Sequence, residues 1–164
     1  MKKTLSRIVL SLAAVYGFAS GAQAQQVKLF FEGDIVRGDQ EGAPGPGCVL
    51  NSQFKHLEKV VWRLRILDAA GNALDDKALK SVVVELPDGQ KMAARFSGHP
   101  PPRIGPPVDF FWTARWIIPT EYPSGSFYYK VVATNIDGSS QTWEPFKSLT
   151  SRLAVLDGAI EIKK

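Results

Sequence analysis

Few side chains in this sequence are equipped for chemistry: a single cysteine, Cys48, two histidines, His56 and His99, and the thioether of Met92. Thiolate, imidazole and thioether together are the ligand types of a blue-copper centre. Their order argues against one, because a compact copper loop brings Cys, His and Met together, whereas Cys48 comes early and Met92 lies far from it. There is no Cys-x-x-Cys, which excludes both a redox pair and c-type haem attachment. Hydrolase, zinc-protease, phosphate-loop and dinucleotide signatures are equally missing. Asp75 and Asp76 sit in a polar connection and read as solvated, as do His56 and His99, while Met92 reads as core packing. No catalytic residue, metal ligand or cofactor is assigned, and the chain reads as non-enzymatic.

Two stretches remain as candidates for recognition. Cys48 follows the Gly/Pro-rich run Gly42 to Gly47 and precedes Val49 and Leu50. That context favours burial as a small hydrophobe. The sharper alternatives are a mixed disulfide with a partner, or a thiolate ligand shared with His99. The second stretch, Ser97 to Val108 (SGHPPPRIGPPV), carries Pro100, Pro101, Pro102, Pro106 and Pro107. Such density favours stiff polyproline geometry and cannot sustain a sheet ladder. A rigid crossover between two sheets is the plainer expectation. A preorganised docking loop is the functional one, with His99, Pro100, Pro101, Pro102, Arg103 and Cys48 as the candidate partner-binding residues. Arg37-Gly38-Asp39 spells an adhesion tripeptide, but three residues in a polar loop carry little information.

The elements that must position these residues begin after a leader. Lys2, Lys3 and Arg7, an apolar run from Ile8 to Phe18, and Ala22-Gln23-Ala24 form a secretory signal-peptide pattern over residues 1–24. The apolar run is broken by Ser11, Gly17 and Ser20, too short for the roughly 20 residues of a membrane span. Removing the three basic residues of the leader from 20 leaves 17 against 16 acidic groups, a mature net charge of +1. A chain so nearly neutral lacks the basic footprint of a nucleic-acid binder. Residues 25–164 suit one domain with its own core, periplasmic or secreted.

Period-two alternation then predicts strands. Leu57 to Asp68 places Val60, Trp62, Leu64 and Ile66 on one face and Arg63 and Arg65 on the other. Val27 to Ile35 reads as an opening strand and Arg37 to Gly47 as a surface loop. Ser81 to Leu86 and Lys91 to Phe96 flank Pro87-Asp88-Gly89-Gln90, a hairpin signal. Asp109 to Gly138 reads as two neighbouring antiparallel strands joined at Pro119 to Gly125, with Phe110, Trp112, Ala114, Trp116 and Ile118 on one apolar face and Phe127, Tyr129, Val131 and Ala133 on the other strand's. Gln141 to Phe146, Arg152 to Leu156 and Ala159 to Ile162 add short segments, and Trp143 to Phe146 would either cover the core's open end or form an exposed patch.

Seven to nine short strands with almost no amphipathic helix define an all-β, antiparallel sandwich. The run Pro123, Gly125, Phe127, Tyr129, Val131, Ala133, Asn135, Asp137, Gly138 resembles the penultimate-strand hairpin of bacterial immunoglobulin-like and fibronectin-type-III-like domains, with Tyr128 or Tyr129 where that fold has its corner tyrosine. The single cysteine departs from antibody-type domains, which carry an inter-sheet disulfide. The resemblance implies a scaffold for docking, with no inherited catalytic residues. The sequence therefore points to a non-catalytic accessory protein that binds another envelope protein, with no nucleic acid and no membrane span. A metal-binding or electron-transfer protein using Cys48 and His99, or a carbohydrate-binding module, are the alternatives. If residues 1–24 are a leader, mass spectrometry of the envelope-located protein will give an N-terminus at Gln25 and not at Met1.

Overall fold

The computed structural model describes residues 28–100, 104–146 and 152–163. The leader expected over residues 1–24 lies outside them. Strand after strand follows: β1 (Phe30–Arg37), β2 (Val49–Leu50), β3 (Gln53–His56), β4 (Lys59–Leu67), β5 (Leu79–Glu85), β6 (Lys91–Ala93), β7 (Arg95–His99), β8 (Asp109–Ile117), β9 (Gly125–Phe127), β10 (Lys130–Asn135), β11 (Ser140–Trp143) and β12 (Leu153–Ala159). They form a five-stranded sheet in the order β2-β1-β4-β8-β7, a four-stranded sheet β11-β10-β5-β6, and a three-stranded sheet β3-β12-β9, none closed into a barrel. Pairing is antiparallel except between β3 and β12. Among the described residues no helix is long and apolar enough to cross a membrane.

The alternation in β4 sets the core. Val60, Trp62, Leu64 and Ile66 are all buried, while Arg65 on the opposite phase is exposed. In register beside them lie Ile35 opposite Trp62 on β1 and Ala114 opposite Trp62 on β8. The facing layer supplies Val82 and Val84 from β5 and Val131 and Ala133 from β10, and the small sheet supplies Phe54, Leu153 and Val155. The Asp-Gly hairpin forms as expected: Leu86 N–H donates to Gln90 O at 2.9 Å, and Gly89 takes a φ of 89°, which its lack of a side chain permits.

The stretch from Asp109 to Gly138 departs from the sequence reading. β8 pairs with β4 and β7, and β10 pairs with β5 and β11, so the two are not neighbours. Alternation reports which side of a strand is apolar, and two strands with correct phases can sit in facing sheets as well as in one. Residues 118–129 are the crossover between sheets, and the proline-rich stretch expected to cross is instead the tip of the β7–β8 hairpin. Phe110, expected in the core, lies at the start of β8 and is 49% exposed. Trp116 is half-buried, packed edge-on against Tyr122 at 4.7 Å. Trp62→Ala should lower unfolding free energy by about 3–5 kcal/mol. Urea denaturation should show a clearly smaller loss for Trp116→Ala, because its ring is only partly enclosed.

Candidate functional site

The proline hairpin tip is anchored from below. His99 and Asp109 close the β7–β8 ladder, and Val108 N–H donates to His99 O at 2.9 Å. The His99–Pro100 peptide is cis. A Cβ on Gly98 would fall 2.4 Å from Pro107 Cβ, so only glycine lets the loop fold back this closely. On the inner face Phe96 stacks on Phe110 at 6.0 Å and tilts against Trp112 at 5.5 Å. Trp112 is buried, and its Nε1–H donates to Leu74 O at 2.9 Å, so the aromatic ladder carries the tip's position down into the core. On the outer face the His99 ring lies 5.7 Å from Phe111. Pro101, Pro102 and Arg103 lie outside the described residues.

Above this anchor the tip presents apolar surface: Ile104 is 70% and Val108 86% exposed. Its base is ringed by paired charge. Asp109 binds Arg65 through Oδ2 and accepts the Phe110 N–H through Oδ1 at 2.8 Å, and Arg65 above all holds its carboxyl below the usual carboxylate range. Next along, Arg63 grips Asp34 with two bonds of 2.7 and 2.5 Å. These groups, with Glu32 and Phe111, line a recess of about 320 Å³ on the outer face of the five-stranded sheet. Exposed apolar side chains such as Ile104 and Val108 beside ion pairs that already satisfy each other lose little on desolvation, which suits docking against a protein surface.

Cys48 lies elsewhere and overturns the expectation of burial. It is exposed, with a φ of 59°, and its N–H donates to Arg37 O at 2.6 Å in the turn leading from β1 to β2. Val49 and Leu50 are 45% and 67% exposed, because β2 is a two-residue edge strand with no layer over its outer side. The nine residues of β8 put the Cys48 end of the sheet about 26 Å from the proline tip, at about 3.3 Å per residue. Cys48 and His99 therefore cannot share a metal ion or a single docking face.

Sequence reasoning missed a groove of about 430 Å³ walled by Leu50, Tyr129, Trp143 and Phe146. Its signal was present in Trp143 to Phe146. That segment does both of the things expected of it as alternatives: Trp143 stacks flat on Phe31 at 6.2 Å, and Phe146 projects with 86% exposure.

His56 was read as solvated and is buried, each ring nitrogen against a backbone carbonyl. Met92 packs in the core as expected. Among the described residues no three His, Cys, Asp or Glu side chains gather in a way that could hold a metal. Arg37 of the adhesion-like tripeptide ends β1 with Nε 3.0 Å from the buried Glu58, and Gly38 N–H donates to Lys59 O at 2.7 Å, so the tripeptide's first two residues are held against the sheet and only Asp39 is exposed.

Neither any family model nor any curated protein sequence matches this chain. The exposed thiol carries its own test. A bulky maleimide added to the native protein should label Cys48 to completion without denaturant, at a rate close to that in urea; protection of tenfold or more in the native state would return the residue to the interior.

Proposed function

We propose that this chain is a periplasmic or secreted, non-catalytic immunoglobulin-like domain that docks on another envelope protein through the tip of its β7–β8 hairpin. The fold part of the reading is supported by strand order. In immunoglobulin domains one sheet runs A-B-E-D and the other holds C, F and G. Here β1, β4, β8 and β7 stand in the first order, and β5 beside β10 beside β11 in the second, with β6 added outside β5. The last strand, β12, takes β3 in parallel and β9 antiparallel, as though β9 and β10 were two halves of strand F and β11 and β12 two halves of strand G. The corner tyrosine is a departure: Tyr129 packs under Trp62, and the Tyr128 hydroxyl accepts from the Arg152 guanidinium.

One observation carries the docking part, namely exposed Ile104 and Val108 next to flanks held on the sheet by the close approach of Gly98 and Pro107 and by the Phe96–Phe110–Trp112 ladder. A preformed loop loses little conformational entropy when it binds. Carbohydrate binding draws no comparable support, since Trp62 and Trp112 are buried and Trp116 and Trp143 are half-buried.

A photo-crosslinking residue at position 104 in the secreting cells tests the proposal, with position 136 as control because Ile136 is 67% exposed on the β10–β11 turn. A discrete crosslinked band from 104 and none from 136 is expected, and Val108→Ser should weaken it severalfold with the fold intact. Equal, diffuse crosslinking from both positions would show that the tip is not a docking site.

A further inference from the structure

His56 ends β3 at the junction of three segments. Its Nδ1 lies 3.0 Å from Gly158 O, at the irregularity in β12, and its Nε2 lies 2.7 Å from Tyr122 O, in the crossover turn after β8. Carbonyl oxygens only accept. A neutral imidazole has one N–H and one lone pair, so it can satisfy one of these contacts and must turn a lone pair toward the other oxygen. Only the imidazolium donates to both.

The ring's backbone continues the same attachment. Ile160 N–H donates to His56 O at 3.1 Å, and three residues on, Lys163 N–H donates to Gly42 O at 3.0 Å in the glycine-rich loop after β1. Gly42, at a φ of 74°, leaves no room for a Cβ, which would sit 2.1 Å from Lys163 O. The stretch 158–163 is thus a strap laid across β3 and the Gly42 loop, fastened in the middle by His56.

We propose that His56 is a proton-operated clasp: protonated, it ties the strap and the Tyr122 turn to β3, and on deprotonation it keeps the shorter Nε2–H bond to Tyr122 O, turns its Nδ1 lone pair toward Gly158 O and so loosens the strap as far as the Gly42 loop. The charged groups around the ring favour the closed form. Asp157 on β12 and Glu121 on the crossover turn both act on it as anions. Of its neighbours along the chain, Lys55 is exposed, and Glu58 is committed to Arg37 and to the Lys55 N–H at 2.8 Å. Tyr122, the other titratable group of the turn, is buried, and burial above all pushes its hydroxyl up to about 12, with Asp88 beside it adding to the effect. It stays neutral throughout the range in which a histidine titrates.

The Tyr122 carbonyl first, and the Gly158 carbonyl second, raise the His56 pKa above its ordinary value, against the opposing effect of burial. The folded chain therefore holds this proton more tightly than the unfolded chain, whose histidine titrates near about 6.5. The clasp's contribution to stability is complete below that unfolded value and is lost as pH rises through the raised folded one.

The test uses the mature protein between pH 5.5 and 8.5, with the His56 ring followed by NMR and amide exchange at Ile160 and Lys163 corrected for its intrinsic pH dependence. The ring should titrate above the unfolded value, and protection at both amides should fall across that titration, by about tenfold for each tenfold by which folding tightens the proton. Protection at Val131 in β10, which opens only with the whole fold, should be higher throughout and fall by no more than the same factor. His56→Gln should abolish the pH step at Ile160. A ring titrating at or below the unfolded value, or Ile160 protection flat through the titration, overturns the proposal, and the wild-type titration decides alone if the variant does not fold.

Discussion

The contact on which the structure depends is that of Trp62 with Tyr129, edge to face at 5.8 Å across the core. Trp62 stands in the middle of the central strand of the five-stranded sheet, and Tyr129 at the break between β9 and β10 in the facing layers. Antibody-type domains join their two sheets with a disulfide in the core; this chain has one cysteine, at the surface, so its sheets meet through packing and a few hydrogen bonds such as Leu29 N–H to Gln141 Oε1 at 2.9 Å. Trp62 is fully buried, and its indole N–H has no hydrogen-bond acceptor among the described residues. Such a group is tolerated only where the surrounding apolar contact outweighs its desolvation. Ala114 beside it on β8, fully buried, is the small partner that leaves space for so large a ring.

Filling the interior with aromatic and branched side chains dictates what happens outside. Every second residue of β1, β4 and β8 faces away from the core, and there Asp34 meets Arg63 and Asp109 meets Arg65. Partly exposed pairs of this kind contribute little to stability, about 0–1 kcal/mol each. Their effect is local, because each pair leaves little net charge at its own place on the outer face. Glu58 is the exception, a buried carboxylate whose partners, Arg37 and the Lys55 N–H, secure the bend between β3 and β4 where Leu57 takes a φ of 68°.

Sequence pattern made visible what is local. The β4 alternation, the Asp-Gly hairpin and the all-β character all follow from neighbours within a few residues, and the structure agrees with each. Partner choice was not visible, because β8 and β10 carry the same kind of apolar phase whether they lie in one sheet or two. Cys48 misled because an apolar dipeptide beside it looks like core, whereas an edge strand of two residues leaves all three exposed. His56 was illegible for a different reason. Its carbonyl partners are 66 and 102 residues away in sequence, and a backbone oxygen carries no residue signature at all.

The two connections exchanged between expectation and structure also separate what the two ends of the molecule can do. Prolines that lack N–H groups are poorly suited to a crossover whose turn is closed by backbone bonds, such as Tyr122 N–H to Pro119 O at 3.2 Å, and well suited to a hairpin tip that faces solvent. The crossover therefore falls at the far end of β8, beside His56, the strap and the Gly42 loop that leads to Cys48, while the tip falls at the near end. Between them β8 is paired along its length, with β4 on one side and β7 on the other. A paired strand transmits little local loosening, because its ladder and its buried side chains open only with the sheet as a whole. Release of the proposed clasp would thus alter the Cys48 end of the domain and leave the β7–β8 tip in place, so that the proposed proton response and the proposed docking would use different surfaces joined by one rigid strand.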